Sequence, residues 1–315
     1  MVIWIIILGL LFDYTNGFHD AANVVATPIA TKIVRPAVAI IMATVFNFLG
    51  ATQISGVAET ITSGLVQTNS QIVVLAAVLG AIVWNFLTWY WGIPSSSSYA
   101  LVGGLVGAAA VQGGADVVVW KNLIFKVIIP MVISPFAGFL IALMGMKLLL
   151  RLKPGNQKIF RYLQLFSAGL LALSHGLNDA QKSMAIITLG LFAAGKLVSP
   201  VIPLWVIAAC AIMMALGTAS GGVRIIRTMA YEITELKPIQ GFAAEASSSL
   251  VILLASFWGM PLSSTHMITG SIAGVGSAKG WKGVKWGTAR RLGWAWVFTL
   301  PGSALVSALV LTIFS

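Results

Sequence analysis

Charge is scarce in this sequence. Of 315 residues, 9% are charged and 58% are hydrophobic, whereas a soluble domain averages about 25% charged residues. A chain of this composition has too few polar side chains to cover a water-facing surface, so we expect it to lie in a lipid bilayer. Its apolar runs, such as Ile72 to Val83, lack the polar–apolar alternation of a membrane β-barrel. The composition therefore predicts an all-α integral membrane protein.

Cysteine and acidic residues are also few. The single Cys210 excludes an internal disulfide and a cysteine-based metal site. The 8 Asp and Glu residues stand against 19 Lys and Arg, for a net charge of +11, which in a membrane protein is typical of topology and lipid contact rather than nucleic-acid binding. The apolar start, Met1 to Phe12, has no basic segment or cleavage signature, so we expect a first span rather than a signal peptide.

The basic residues lie in alternate loops. Hydrophobic segments fall near residues 1–16, 18–30, 37–55, 72–92, 96–112, 124–146, 162–174, 180–194, 199–217, 243–258, 262–278 and 292–314, enough for roughly ten passages. The central loop, 147–161, is rich in Lys and Arg and has no acid, so the positive-inside rule predicts that it is cytoplasmic. With 1–30 as one broken passage, the basic loops 31–36, 218–242 and 279–291 fall on the same side. We therefore predict a multi-pass protein of the plasma (inner) membrane with both termini outside.

The sequence contains an internal repeat. The segment from Gly17 to Asn23 matches the segment from Gly176 to Lys182, and the segment from Trp91 to Tyr99 matches the segment from Trp258 to His266. The loop after the first Pro-Ser motif, 113–123, is predicted outside, and its counterpart, 279–291, is predicted inside. Equivalent loops on opposite faces indicate an inverted repeat, an architecture typical of secondary transporters whose substrate site lies at the repeat interface.

These patterns predict a helical bundle of two inverted-topology repeats with broken helices and re-entrant helical hairpins. The first transmembrane repeat covers residues 1–146, a basic cytoplasmic linker covers 147–161, and the second, inverted repeat covers 162–315. Charge does not decide whether 72–92 and 96–112 span fully or re-enter, because both choices return the chain to the same side. The re-entrant form is preferred, since irregular backbone at membrane depth is tolerated where it lines a cavity.

Asp20 and Asp179 each lie in an otherwise apolar stretch, where an Asp at a helix centre costs ~2.5–3.5 kcal/mol. One interpretation is a buried carboxylate satisfied by hydrogen bonds, with a half-helix beginning after Gly17 or Gly176. The other is a pair of carboxylates that binds a coupling cation, with Asn23 on the same helical face as Asp20. Oxygen ligands favour sodium or a proton over a transition metal. Because the Asp recurs in both halves, we predict that Asp20, Asn23 and Asp179 bind a coupling cation, either sodium or a proton.

The two Pro-Ser motifs favour helix starts, because serine caps helices and proline is tolerated in the first turn. A helix N-terminus presents free N–H groups and a positive dipole end, which bind anions. Two such tips could clasp one tetrahedral oxyanion, whereas plain helix capping is the alternative. The candidate hydroxyls are those of Ser95, Ser96, Ser97, Ser98, Ser263, Ser264 and Thr265. Lys182 either neutralises a bound anion or pairs with Asp179, and the roles of His19 and His266 stay open.

At these residues the chain resembles a known family. The segment from Ser174 to Met184 resembles the second-half signature of the inorganic phosphate transporter (PiT) family, and the segment from Gly17 to Asn23 resembles its first-half copy. The segments from Gly241 to Glu245 and from Pro261 to His266 also resemble family patterns. The resemblance implies a transporter, not an enzyme, that takes up inorganic phosphate by symport with sodium or a proton and alternates access around a midplane site.

The resemblance also implies roles for particular residues. Asp20 and Asp179 match the motif aspartates, and Asn23, Asn178, Gln181 and Glu245 are carried over into cation-binding roles. The hydroxyls of both tips, with Lys182, are carried over as the phosphate site. His19 stands where the family usually has Asn, and Tyr99 stands where the first tip often ends in His.

Other functions remain open at this point. A sulfate permease on the same scaffold, an uncoupled anion channel and a membrane enzyme acting on phosphorylated lipids are the alternatives. The expected partners are inorganic phosphate, a monovalent cation (sodium favoured over a proton) and the lipid bilayer. A homodimer is left open, no cofactor is expected, and nucleic acid is not an expected partner.

Overall fold

The computed structural model describes residues 1–53, 56–68, 70–152 and 158–314, and these residues are helical apart from turns and one isolated β-bridge between Val66 and Val118. The first half contains α1 (Val2–Ala30), α2 (Pro36–Ala51), α3 (Val57–Gly64), α4 (Gln71–Tyr90), α5 (Ser97–Gly113), α6 (Trp120–Asn122) and α7 (Ile129–Arg151). A π-helical segment (Leu123–Ile128) joins α6 to α7. The second half contains α8 (Ile159–Ala193), α9 (Leu204–Ser220), α10 (Val223–Tyr231), α11 (Pro238–Phe257), α12 (Ser264–Ser277) and α13 (Trp286–Phe314).

The distribution of polarity confirms the all-α membrane class. By length and composition α1, α4, the joined α6–α7 segment, α11 and α13 can each cross a membrane, and α9 and α10 form a further bent pair at 67°. Asp179 is fully buried, whereas Leu204 is 83% exposed and Phe136 is 65% exposed. Charges inside and large apolar side chains outside reverse the pattern of a water-soluble protein.

The helix breaks predicted at the two Asp motifs are absent. Both α1 and α8 are continuous through Asp20 and Asp179. Gly17 and Gly176 serve helix packing instead, because a Cβ on Gly17 would overlap the backbone of α9, and a Cβ on Gly176 would overlap Asn47 of α2. The bent pair in the structure is α9–α10, within the segment 218–242 that was predicted to be a loop.

The helix starts predicted at the Pro-Ser motifs are confirmed. In each motif the chain leaves one apolar helix at a glycine with positive φ, Gly92 or Gly259, and then enters the next helix. Ser96 caps α5 by accepting a hydrogen bond from the Tyr99 N–H, and Ser263 caps α12 in the same way. Each motif therefore forms the turn of a helical hairpin, α4–α5 or α11–α12, whose two helices pack together.

The second half repeats the elements of the first in the same order. Contacts between helices are reciprocal: α1 packs on α9 as α8 packs on α2, and α7 packs on α12 as α13 packs on α5. The last helix of each half therefore covers the hairpin of the other half. Asp20 and Asp179 lie where α1 and α8 pack against each other.

The predicted linker, 147–161, lies where α7 is followed by α8. Helix α7 extends to Arg151 and α8 begins at Ile159, so the ends of the predicted linker are helical. The cause is that Lys and Arg are good helix formers and continue a helix beyond its apolar stretch. Lys153 of this segment lies outside the described residues.

Candidate functional site

The two motif aspartates meet at the centre of the molecule. Asp20 is 2% exposed and Asp179 is fully buried. Ligand atoms of Asp20, Asp179 and His175 all lie within 4.8 Å of one another. Asp20 and Asp179, which the sequence predicts to form a pair, thus lie close together, although they are 159 positions apart in the chain.

Each aspartate accepts a hydrogen bond from the hairpin tip of its own half. Ser97 Oγ donates to Asp20 Oδ2 at 2.7 Å, and Ser264 Oγ donates to Asp179 Oδ2 at 3.1 Å. Ser97 and Ser264 occupy equivalent positions of the two repeats. The tips are therefore attached to the carboxylates in a matched way, with Asp20 also accepting a longer contact from Thr265 Oγ1 at 3.5 Å.

One longer side chain connects each motif helix to the tip of the opposite half. Asn23 Nδ2 donates to Thr265 Oγ1 at 2.9 Å and to Ser264 Oγ at 3.3 Å. At the equivalent position, Lys182 Nζ donates to Ser98 Oγ and to Asp179 Oδ1. Both interpretations of Lys182 considered above remain compatible with this position, since its ammonium pairs with Asp179 and also reaches a tip.

Three predicted hydroxyls have other partners in this structure. Ser95 Oγ donates to Thr88 at 2.9 Å, and Ser96 and Ser263 serve as helix caps. Their hydroxyl oxygens are thus used in holding the tips, while their backbone still forms part of each tip.

The remaining predicted cation ligands are dispersed. Asn178 Nδ2 donates to Asp179 Oδ1 at 2.7 Å, so this residue adjoins the carboxylate pair. Gln181 Nε2 donates to the carbonyl of Gln53. Glu245 accepts hydrogen bonds from Gln164 and Ser167, and no contact in the described part of the chain joins it to either motif aspartate.

Two histidines flank the aspartates. His19 Nδ1 lies 2.7 Å from Asp20 Oδ1, and His175 Nε2 lies 3.2 Å from Asp179 Oδ2. His266 instead packs between the rings of Tyr99 and Trp296, with centroid distances of 5.2 and 4.2 Å.

Sequence reasoning missed a third buried aspartate. Asp13 lies two helical turns before Asp20 in α1, is fully buried, and accepts a hydrogen bond from Ser183 Oγ at 2.8 Å. The available signal was its spacing of seven residues from Asp20, which places both side chains on one face of the helix. Asn16, which accepts from Ser97 Oγ at 2.5 Å, lies on that face as well.

The arrangement has a definite electrostatic character. Asp20, Asp179 and Lys182 are buried together, so with neutral histidines an anion entering between the tips meets an excess of negative charge. A cation beside the carboxylates would offset that repulsion. The oxygen donors of Asp20, Asp179 and the tip hydroxyls suit a hard monovalent cation, whereas the N-termini of α5 and α12 suit an anion.

A sequence model described as the phosphate transporter family matches residues 16–154 and again residues 151–307. The chain belongs to the phosphate transporter family. This membership confirms the predicted resemblance and makes the chain a member of a transporter family rather than of an enzyme family. The family model matches the chain twice, once in each half.

Relatives cover nearly the whole chain. It is 44% identical to a "Probable low-affinity inorganic phosphate transporter" of Bacillus subtilis over 98% of this chain and 96% of the relative. A Mycobacterium bovis protein of the same description is 44% identical over 98% of this chain and 76% of the relative. A solved structure described as "The sodium-dependent phosphate transporter" shares the fold with a TM-score of 0.90, at 24% identity over 99% of this chain and 98% of that one.

Proposed function

We propose that this protein takes up inorganic phosphate by symport with a cation, sodium in preference to a proton, through alternating access around the site at the repeat interface. The observation that carries the proposal is the buried pair Asp20 and Asp179, hydrogen-bonded to the hairpin tips of both halves. The descriptions of the relatives as inorganic phosphate transporters support phosphate as the cargo.

The phosphate site consists of the two tips, Ser95 to Ser98 and Ser263 to Thr265, together with Lys182. Each tip ends in a helix N-terminus whose N–H groups and dipole attract an anion. Lys182 contributes a positive charge at the first tip through its contact with Ser98. Phosphate entering this site exchanges hydroxyl-to-carboxylate hydrogen bonds for hydroxyl-to-phosphate hydrogen bonds.

The cation site consists of Asp20, Asn23 and Asp179, with Asn178 beside Asp179. Gln181 and Glu245 are further polar groups on the same helical framework, outside this cluster. Sodium held by the two aspartates reduces the negative charge that phosphate meets. Coupling follows from this electrostatic dependence, because a bound cation strengthens phosphate binding and, by linkage, bound phosphate strengthens cation binding to the same extent. The oxygen-rich donor set and the description of the structural neighbour as sodium-dependent favour sodium; protonation of one aspartate is the alternative.

The two halves have inverted topology in this proposal, with both termini outside and the segment between α7 and α8 in the cytoplasm. The reciprocal helix contacts support a two-fold relation between the halves. The concentration of Lys and Arg in alternate connections supports an inverted orientation of the second half relative to the first. Rocking of one half against the other then exposes the same site to each side in turn.

Uptake of radiolabelled phosphate into proteoliposomes tests the function. An inward sodium gradient is expected to drive accumulation more than an imposed proton gradient, and excess sulfate is expected to compete poorly. Asp20→Asn and Asp179→Asn are expected to lower uptake at least about tenfold, the effect of 1.4 kcal/mol. The exposed Asp116→Asn is the control and should transport normally. Absence of accumulation in both gradients would contradict symport, and gradient-independent flux would indicate a channel.

A further inference from the structure

A cavity of about 880 Å³ lies away from the transport site, where the α10–α11 and α12–α13 connections meet the end of α7. Four lysines line it, together with one acid, Glu235. They come from two separate stretches of sequence: Lys237 precedes α11, and Lys279, Lys282 and Lys285 lie between α12 and α13. The lining also includes apolar side chains of α7, so the cavity has a charged wall and an apolar wall.

The positive charge of the cavity is largely uncompensated. Among the described residues, Lys237, Lys279 and Lys282 have no ion pair, although a carboxylate lines the same cavity. Lys285 Nζ donates to the carbonyl of Tyr231 at 3.0 Å, which fixes its ammonium without neutralising it. Positive charges that converge on a concave surface raise the local concentration of anions.

The N-terminus of α11 adds to this field. Lys237 is the residue before the first turn of this 20-residue helix. Gln240, in that first turn, also lines the cavity, and its Oε1 accepts a hydrogen bond from the Lys237 N–H at 3.0 Å. The positive end of the helix dipole therefore faces the same space as the lysines.

The internal repeat shows that the fold does not require these charges. By the spacing that separates Trp91 from Trp258, the four lysines correspond to Ser70, Gln112, Ala115 and Val118. The same helix ends are thus built in the first half with uncharged residues. A general preference for basic loops on one face explains lysines in these connections, but it does not require them to surround one cavity.

Aromatic residues beside the cavity indicate the depth at which it lies. Trp281 stacks on Trp286 with ring centroids 4.3 Å apart, and Phe139 packs against both. Trp281 adjoins Lys282 in sequence and is 64% exposed. Exposed tryptophans are typical of the lipid–water boundary, which is where phospholipid head groups lie.

We propose that this lysine-lined cavity is a second anion site, which binds a phosphate group carried by an anionic phospholipid or by a soluble phosphorylated compound. The site is separate from the transported phosphate. The apolar wall and the neighbouring tryptophans favour the phospholipid, whose phosphate contacts the lysines while its acyl chains lie along α7.

Binding to the delipidated full-length protein tests this proposal by native mass spectrometry. Three probes are used: phosphatidylglycerol, zwitterionic phosphatidylcholine and inorganic pyrophosphate. The test variant is Lys279→Gln/Lys282→Gln. The control variant, Arg227→Gln/Arg290→Gln, removes equal charge from exposed residues that do not line the cavity. Since all four residues are exposed, thermal unfolding in phosphatidylcholine should match the wild type for both variants.

Phosphatidylglycerol is expected to bind the wild type and the arginine control, and to bind the lysine variant about 25-fold more weakly, since each of the two lysines near a membrane surface contributes about fivefold. The same pattern for pyrophosphate but not for phosphatidylglycerol would also support the site and assign it to a soluble ligand. Equal binding of both anionic probes to the wild type and the lysine variant, equal loss in both variants, or no binding to the wild type would overturn the proposal.

Discussion

Asn23 and Lys182 occupy equivalent positions of the two repeats, and each reaches the hairpin tip of the other half. Only Lys182 carries a charge, so the two halves of the site are alike in shape and unlike in electrostatics. A symmetric pair of lysines would neutralise both carboxylates and leave no need for a bound cation. The single lysine leaves one carboxylate without a fixed partner of full opposite charge.

Lys182→Gln is expected to abolish phosphate uptake and to destabilise the protein by about 3–5 kcal/mol, because Asp179 then remains buried without its cation. Thermal unfolding measures the loss. The double variant Lys182→Gln/Asp179→Asn is expected to regain most of the stability but no transport, since it removes both charges. The exposed Lys121→Gln should change neither property. A stable single variant would show that the ion pair is not needed for folding.

Ser97→Ala and Ser264→Ala each remove one hydrogen bond to an aspartate. In the proposed bound state the same hydroxyls donate to phosphate, and hydrogen bonds to charged groups contribute about 1.5–3 kcal/mol, so each variant is expected to raise the phosphate concentration for half-maximal uptake by at least about tenfold. Uptake titrations measure the change. Ser277→Ala, at the other end of α12, is the control, and a similar effect there would point to general damage of the helix.

At the scale of the helices, close packing explains why the glycines before the Asp motifs do not break their helices as the sequence predicted. Glycines before each Asp motif indicated helix breaks, yet they allow α1 to contact α9 and α8 to contact α2. The glycines after α4 and α11 do end their helices, with positive φ. A glycine is compatible with close helix packing and with a helix end. Which of the two occurs depends on whether another helix packs against it.

Gly17→Val is expected to lower the folded yield and the unfolding temperature, because any side chain there meets the α9 backbone at Met214 and Gly217. Overpacking of this kind costs about 1–3 kcal/mol or more. Gly287→Ala, in α13 with open space around its Cα, should be neutral or slightly stabilising, since alanine favours helix. Fluorescence-detected unfolding of both variants in detergent makes the comparison. Equal stability of Gly17→Val and the wild type would contradict the packing role.

The candidate site could be predicted from sequence only in part. The motif aspartates, the helix caps at Ser96 and Ser263, and the repeat all follow from local patterns. The bonds from Lys182 to Ser98 and from Asn23 to Thr265 do not, because they join residues of opposite halves whose proximity depends on packing. Glu245 illustrates the same limit, since its sequence context does not show that its partners are Gln164 and Ser167.

At the scale of the whole molecule, the proposed topology can be tested by thiol labelling. Cys210 is fully buried, so the wild type should remain unlabelled by a membrane-impermeant maleimide. Asp116→Cys is expected to react on intact cells, and Lys282→Cys is expected to react only after permeabilisation, because the proposed inverted topology places these equivalent connections on opposite faces. Labelling of both variants on intact cells, or of neither, would contradict the inverted arrangement.

The exchange of last helices between the halves has a consequence for biosynthesis. Helix α13 covers the α4–α5 hairpin, and its contacts with that hairpin include close approaches at Gly80, Gly103 and Gly107. A ribosome that has completed the first half has therefore inserted a hairpin whose packing partner has not yet been translated. The α4–α5 hairpin stays without this packing partner until α13 enters the bilayer. A chain stopped short of Trp286 thus leaves an open surface in its earliest-made part, where membrane proteases that remove incomplete proteins can recognise it.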